Sequence, residues 1–324
     1  MILKDLKCEN IIEYAPILIP TMNRINHLKR CILSLQNNTH AEKTDLVISI
    51  DYPPQDKYRE DYKKVCQYLE NGIKGFNSVK IIKQTENLGA YKNYLFLKEY
   101  AKQKYSRFIF SEDDNEYAPN FLDYVNKGLH IFEDNKKIIA ICSNGIAKIS
   151  NYEGNVALTQ NFSAQGYGTW SKKDDELTLA ITREYFEKIA RNKELLKNMY
   201  LQDVSVFYSF KSAILADQKL YQLQDKQVPI VDMTIKVYMM EKQLYTIAPI
   251  IQTSRNYGYD GSGVNCPKVK QAGEEPVIDV NKEFNYLVSE SLPIHKFEQK
   301  IGLKDYIRIL GCKMKLLHYL MNIK

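Results

Sequence analysis

Apolar residues in the first part of the chain follow two alternating rhythms. Short unbroken runs, APILIP (15–20), DLVISID (45–51), VKIIKQ (79–84) and RFIF (107–110), have the length and composition of buried strands. Between them an apolar residue recurs every three or four positions. Ile25, Leu28, Ile32 and Leu35 do so in INHLKRCILSLQNN, and helical patterns also run through YREDYKKVCQYLENG (58–72), stopped by Gly72, and GAYKNYLFLKEYAKQKY (89–105). Strand and helix alternate up to a fourth strand, which predicts an α/β fold with a mostly parallel sheet flanked by helices. Ligands collect at the carboxyl ends of the strands in such a sheet. Those ends read PTMNR, SIDYPP, QTENLG and SEDDNE, all polar and turn-forming.

The last of these ends places Glu112, Asp113 and Asp114 directly behind Phe-Ile-Phe. Adjacent carboxylates repel one another and resist burial, so this position implies a use for negative charge. A hard divalent cation, Mg²⁺ or Mn²⁺, prefers such oxygens, usually one or two from the protein with substrate phosphates and water completing the shell. The alternative is an acidic turn that favours the positive N-terminus of the helix APNFLDYVNKGL.

Composition narrows the class further. A chain of 324 residues, 44% of them hydrophobic, buries a sizeable core. Its formal charge of +6 suits an anionic ligand or membrane surface without the basic density of a dedicated nucleic-acid binder. Six cysteines without a C-x-x-C pair point to reduced thiols in a cytoplasm rather than to zinc or disulfides. MILKDLKCENIIEYAP has no signal-peptide pattern and no later apolar run is long enough to span a bilayer, so the expectation is a soluble or peripheral protein.

Taken together, APILIPTMNR, LKRCILSLQNN, ISID, NLGAYKN and FIFSEDDNEYAPNFLDYVN resemble the nucleotide-sugar domain of GT-A-fold glycosyltransferases over residues 14 to 145. The resemblance is closest to the inverting branch that holds the bacterial family 2 enzymes and the N-acetylglucosaminyltransferase that begins complex N-glycans. A second stretch, IAPIIQTSRNYGYDGSGVNC (247–266), is similar to the loop that folds over the bound nucleotide in that group. The resemblance implies a GT-A, Rossmann-like fold and a metal-dependent inverting transfer from a nucleotide-sugar, most simply a UDP-sugar, to a glycan or lipid-linked oligosaccharide. It implies Asp114 as the metal ligand, Asp113 as the partner of the ribose, Glu112 as a contact to sugar or nucleotide, and Asp51 as the partner of the uracil ring. Pro20, Thr21 and Arg24 fall in its first nucleotide-binding loop, Asn87 and Gly89 in the loop after the third strand, and Asp260 and Ser262 in the covering loop. Tyr91 and Asn93 are weaker matches.

The acceptor half is less regular. AQGYGTWSKKD (164–174) sets Gly168 and the lone tryptophan, Trp170, in what reads as a polar loop, suited to offering an aromatic platform to a sugar or, alternatively, to capping the core. An inverting displacement needs a carboxylate base, for which Asp203, Asp217 and Asp232 are candidates. Asp232 is preferred because it follows Val-Pro-Ile-Val where the family often has a tryptophan-aspartate pair, although Val231 stands in the tryptophan's place; Asp203 is the runner-up, and both also read as helix caps.

Three regions are expected: 1–145 for the nucleotide-sugar, 146–266 for the acceptor and covering loop, and 267–324 for a polar strap and a basic amphipathic helix (297–324). That helix could lie on an anionic membrane at its inner face or pack on the domain. Two other classes remain at this point. A sugar nucleotidyltransferase would want a glycine-rich loop after the first strand, which PTMNRINHLKR lacks, and a non-catalytic carbohydrate binder would need neither the acidic cluster nor the covering loop.

Overall fold

The computed structural model of the protein describes residues 3–5, 13–145, 155–215, 231–262, 287–289 and 294–295. The predicted series is present: β1 (Leu3–Asp5), then β2 (Ile17–Thr21), α1 (Ile25–Gln36), β3 (Asp45–Ile50), α2 (Arg59–Glu70), β4 (Ser78–Lys83), α3 (Gly89–Lys102) and β5 (Arg107–Phe110). It continues with β6 (Asn115–Tyr117), α4 (Phe121–Ile131), β7 (Ile138–Cys142), β8 (Val156–Thr159), β9 (Tyr167–Trp170) and α5 (Ser171–Ala180). Helices α6 (Arg183–Arg191), α7 (Lys193–Gln202), α8 (Val204–Leu215) and α9 (Val231–Lys242) follow. The chain then returns to strands in β10 (Tyr245–Pro249), β11 (Ser254–Asn256), β12 (Leu287–Ser289) and β13 (Ile294–His295).

Among the described residues, nine strands form the main sheet in the order β13-β8-β10-β7-β9-β5-β2-β3-β4. The half β5-β2-β3-β4 is wholly parallel, and β9 runs antiparallel to both β5 and β7. This is the GT-A arrangement, with β2 between β5 and β3 and the strand order reversing between β2 and β5, the topological switch point at which a doubly wound sheet takes its ligand. Ile17, Leu18 and Ile19 are fully buried, as expected of a strand covered on both faces. On α1 the fully buried residues Leu28, Cys31, Ile32 and Leu35 make the stripe predicted from their spacing.

The chain divides into two compact units. The first, Met1–Glu176 with Tyr245–His295, carries the sheet, and the second comprises Leu177–Leu244 and Lys296–Lys324. Among its described residues the second unit is helical, with its own core of Phe186, Ile189, Leu196, Met199, Val206, Phe207, Phe210, Met233 and Val237. The basic amphipathic helix expected at 297–324, most of the strap before it, and Asp217 lie outside the described residues. Among the described residues no helix is long and apolar enough to cross a membrane.

The segment 164–174 differs from expectation. Its centre is strand β9, and Trp170 is 3% exposed, with its indole N–H donating to the Leu129 carbonyl at 3.0 Å and the Lys173 ammonium 3.5 Å from the ring centre. Trp170 therefore packs in the core and offers no platform to a sugar. Gly168 has the same origin: a Cβ there would lie 2.4 Å from Val125 Cγ1, so its absence lets α4 sit against the sheet. Tryptophan beside two glycines reads as loop composition, but the glycines serve close packing instead.

Candidate functional site

The site forms where β2 and β5 end side by side. Thr21 closes β2, and its hydroxyl donates to Asp113 Oδ2 at 2.7 Å. Pro20, the residue before, stays in the parallel ladder opposite Ser49. Arg24, just before α1, spreads its guanidinium across both acids: one nitrogen pairs with Asp113 Oδ1 and the other lies 2.7 Å from Asp114 Oδ2. Asp113 and Asp114 are 3% and 7% exposed. Burial pushes the Asp113 carboxyl above its ordinary value; Arg24 opposes this and neighbouring Asp114 adds to it. Burial pulls the Arg24 guanidinium down, but Asp113 and Asp114 outweigh it and hold the charge above its usual range.

The covering loop sits on this cluster. Strand β11 pairs antiparallel with β6, directly behind the acids, with Asn256 opposite Asn115. The Asn256 amide donates to Asp114 Oδ1 at 2.8 Å and Asn115 Oδ1 at 2.9 Å, and lies 3.4 Å from Glu112 Oε2. The Tyr257 N–H donates to the Asp114 carbonyl at 2.9 Å. A Cβ on Gly258 would lie 2.3 Å from Asp114 Oδ2, so the loop needs glycine here to come this close. Further along, Asp260 Oδ2 meets His27 Nε2 at 2.9 Å and its other oxygen accepts the Ser262 N–H at 2.9 Å. The Ser262 contacts, with His27 behind them, lower the Asp260 carboxyl to about 2.

Asp51 lies at the end of β3, 4% exposed. Its carboxylate accepts the Leu88 N–H at 2.8 Å, the Gly89 N–H at 2.9 Å, the Tyr52 N–H at 2.9 Å and the Asn87 amide at 3.1 Å. It thus ties the loop after β4 and the N-terminus of α3 to the end of β3, with Gly89 taking φ +75° at the start of the helix. Burial pushes Asp51 above its ordinary value, with the amide protons of Leu88, Gly89 and Tyr52 working against it. Asn93 is buried and donates to the Ser49 carbonyl, while Tyr91 stacks on Tyr94.

The oxygens present fit a hard cation. Asp114 offers a carboxylate with Glu112 close by, and both neighbour Asn256 at the open end of the sheet. No group of three His, Cys, Asp or Glu side chains converges among the described residues, so a cation here would draw on one or two protein carboxylates and on its substrate's oxygens. In the second unit, Asp203 stands between α7 and α8, where its carboxylate accepts the Ser205 and Val206 N–H groups at 2.9 and 3.0 Å, an N-cap arrangement. Asp232 is the second residue of α9 and half-buried.

Residues 17–210 match the family model described as Glycosyl transferase family 2. The chain belongs to that family. The family is one of glycosyl transfer, not of nucleotidyl transfer. Crystal structures of residues 1–349 of S. aureus TarS, one of them with UDP, align at 14% identity over 51% of this chain and 49% of the TarS chain, with a TM-score of 0.35. The complex with UDP-GlcNAc aligns over 51% and 48% at the same identity and score. The chain spans about half the length of these structures. No curated protein matches it.

Sequence reasoning missed Asn256, Asn115 and Gly258. Asn256 and Gly258 fall within the stretch read as a covering loop, and Asn115 directly follows the acids. What singles them out is a pairing of segments some 140 residues apart, for which local spacing holds no signal.

Proposed function

We propose that this glycosyltransferase is a divalent-cation-dependent inverting enzyme that moves a sugar from a UDP-sugar to a glycan or lipid-linked acceptor. The observation that carries the reading is the pair Asp113 and Asp114, buried at the switch point of the sheet and sharing the single guanidinium of Arg24. Two carboxylates held on one cation leave an excess of negative charge where a cation-bearing diphosphate would relieve it. Asp114, with Glu112 near it, would hold Mn²⁺ or Mg²⁺; when bound, that ion supplies neutralisation of the departing diphosphate. Arg24 then has phosphate oxygens as alternative partners, for which its planar fork is suited.

The remaining roles belong to the chain's own side chains. Asp113, held by Thr21, is positioned for a ribose hydroxyl, and Asp51 with Asn87 and Gly89 shapes the base end. The loop bearing Asn256, Gly258, Asp260 and Ser262 covers the cluster and keeps water from the reacting centre. Transfer with inversion is one displacement: the acceptor oxygen forms a bond to the anomeric carbon as the bond to the diphosphate breaks, and a carboxylate takes the acceptor proton. Asp232 is our choice for that base, because it follows Val-Pro-Ile-Val where the family often has a tryptophan-aspartate pair; Asp203, whose carboxylate caps α8, is the runner-up. An acceptor at the inner membrane face is supported by the basic pattern of 297–324.

The test combines calorimetry with turnover. Wild type should bind UDP in the presence of Mn²⁺ and lose transfer in EDTA. Asp232→Asn should keep donor binding while kcat falls by on the order of 10² or more. Full transfer in EDTA would refute the metal reading, and a near-normal kcat in Asp232→Asn beside a collapsed one in Asp203→Asn would move the base to Asp203.

A further inference from the structure

Beside the acidic cluster runs a band of neutral side chains that the reading above leaves without a task. Asn144 follows the end of β7, Gln165 lies just before β9, and Tyr259 belongs to the covering loop. The Asn144 amide donates to Gln165 Oε1 at 3.2 Å, and the Gln165 amide to the Tyr259 hydroxyl at 3.4 Å. Both bonds are near the long limit for such contacts, and each amide nitrogen carries a second proton. All three residues keep part of their surface in contact with solvent, Tyr259 being 40% exposed.

The supports of the band are by contrast tight. Asn115 is fully buried and its amide donates to the Gln165 carbonyl, as well as to Tyr117 Oη at 3.0 Å. Gly166 takes φ +135°, and a Cβ there would meet Tyr117 Oη at 2.8 Å and Ser143 Oγ at 2.9 Å. Ser143 bonds Ser254 of β11 at 2.7 Å. Gln165 is therefore fixed against the residue that follows Asp114, and its side chain reaches from a rigid base.

Charge is sorted by face along the β6–β11 ribbon. Asn115 and Asn256 face each other across it on one side, while Glu116 and Arg255 oppose one another on the other. On that second side Tyr257 donates to Glu116 at 2.8 Å beneath the guanidinium of Arg30. The side that carries the acids and Arg24 thus adds neutral amides, while Glu116, Arg255 and Arg30 gather on the opposite side.

We propose that Asn144, Gln165 and Tyr259 form the subsite for the glycosyl group of the donor and select an uncharged, hydroxyl- or acetamido-bearing sugar over one that carries a carboxylate. The inference rests on the nucleotide-sugar reading and deepens it. Amides and a phenol both donate and accept, as sugar hydroxyls do, and their long mutual bonds exchange readily for bonds to a ligand. A sugar carboxylate would instead meet neutral amides and a phenol, with no positive side chain bonded to the band among the described residues, while Arg24 is already engaged with Asp113 and Asp114.

The experiment is a calorimetric titration with Mn²⁺ of UDP, UDP-glucose, UDP-N-acetylglucosamine and UDP-glucuronate into wild type, Gln165→Ala and Asn144→Ala. Wild type should bind at least one neutral UDP-sugar about tenfold or more tightly than UDP-glucuronate. Each variant should weaken that neutral UDP-sugar by roughly 3- to 10-fold, the worth of one or two ordinary hydrogen bonds, and leave UDP unchanged. Unchanged UDP affinity also shows that the variants fold. UDP binding retained with no dependence on the sugar or on either side chain overturns the subsite alone. Failure of wild type to bind UDP overturns the donor reading, and this inference with it.

Discussion

Two clusters of buried charge lie in the sheet-bearing unit and are balanced differently. Lys98 and Lys102 on α3 converge on Asp174, with Nζ–O distances of 2.7 and 2.9 Å, and Lys102 also reaches Glu99 and Asp175. Lys98 and Asp174 are 5% and 3% exposed. Burial pulls the Lys98 ammonium down, but Tyr94 and Asp174 outweigh it and hold the charge above its usual range. Counting buried acids alone, the ratio reverses at the end of β5, where Asp113 and Asp114 share one arginine. A cluster in which cations answer the buried acid is complete without a ligand and joins elements of the fold. A cluster in which two buried acids share one arginine keeps a net negative charge among the described residues, and the proposed cation site rests on that charge.

The largest expected effect tests the complete cluster. Lys98→Ala leaves the Asp174 carboxylate to Lys102 alone, and should destabilise the protein by about 3–5 kcal/mol in denaturant melts, with the deficit relative to wild type unchanged when UDP and Mn²⁺ are added to both. A deficit that shrinks on adding ligand would erase the distinction between the two clusters. Arg24→Gln should cost somewhat less, about 2 kcal/mol, because Arg24 keeps 21% of its side chain exposed. Here UDP with Mn²⁺ should restore much of the melting temperature by linkage, since the added cation takes over the acids.

Smaller still is Asp114→Asn, which removes one of two like charges while Arg24 keeps Asp113. Without ligand its stability should stay within about 1 kcal/mol of wild type, and Mn²⁺-dependent UDP binding should weaken. A loss of several kcal/mol would mean that this cluster, too, is structural. The smallest effect concerns Asp260, an acid on a half-exposed side chain. Its carboxyl is lowered to about 2, chiefly by Ser262, so its contribution is present above the ordinary carboxylate value near 4 and is lost as pH falls through about 2. Protection of the Ser262 amide against hydrogen exchange should therefore persist at pH 4 and fade below pH 3.

The parallel half of the sheet was readable because each strand is a short apolar run buried on both faces and each helix repeats its apolar residues at 3 and 4 positions. Glu112, Asp113 and Asp114 could be picked out for a related reason: three acids behind a buried strand contradict the local tendency of the chain. Arg24 and Asp51 were placed at the site by resemblance, but what they hold there was not foreseen. Asp51 occupies its oxygens with the N-terminus of α3, and Arg24 bridges both acids. Trp170 misled because a tryptophan between glycines has the same composition in a ligand loop and in a strand packed beneath a helix.

By itself, the sequence determined the alternation of strand and helix, the acidic end of β5 and membership of the glycosyl transferase family 2, since each rests on neighbours within a few residues or on a linear motif. Tertiary structure alone decided which charges are matched and which are left in surplus. Asp174 meets Lys98 and Lys102 across more than seventy residues, and Asn256 reaches Asp114 across 142. Coulombic balance depends on distance in space and on exclusion of water, and neither is a function of separation along the chain.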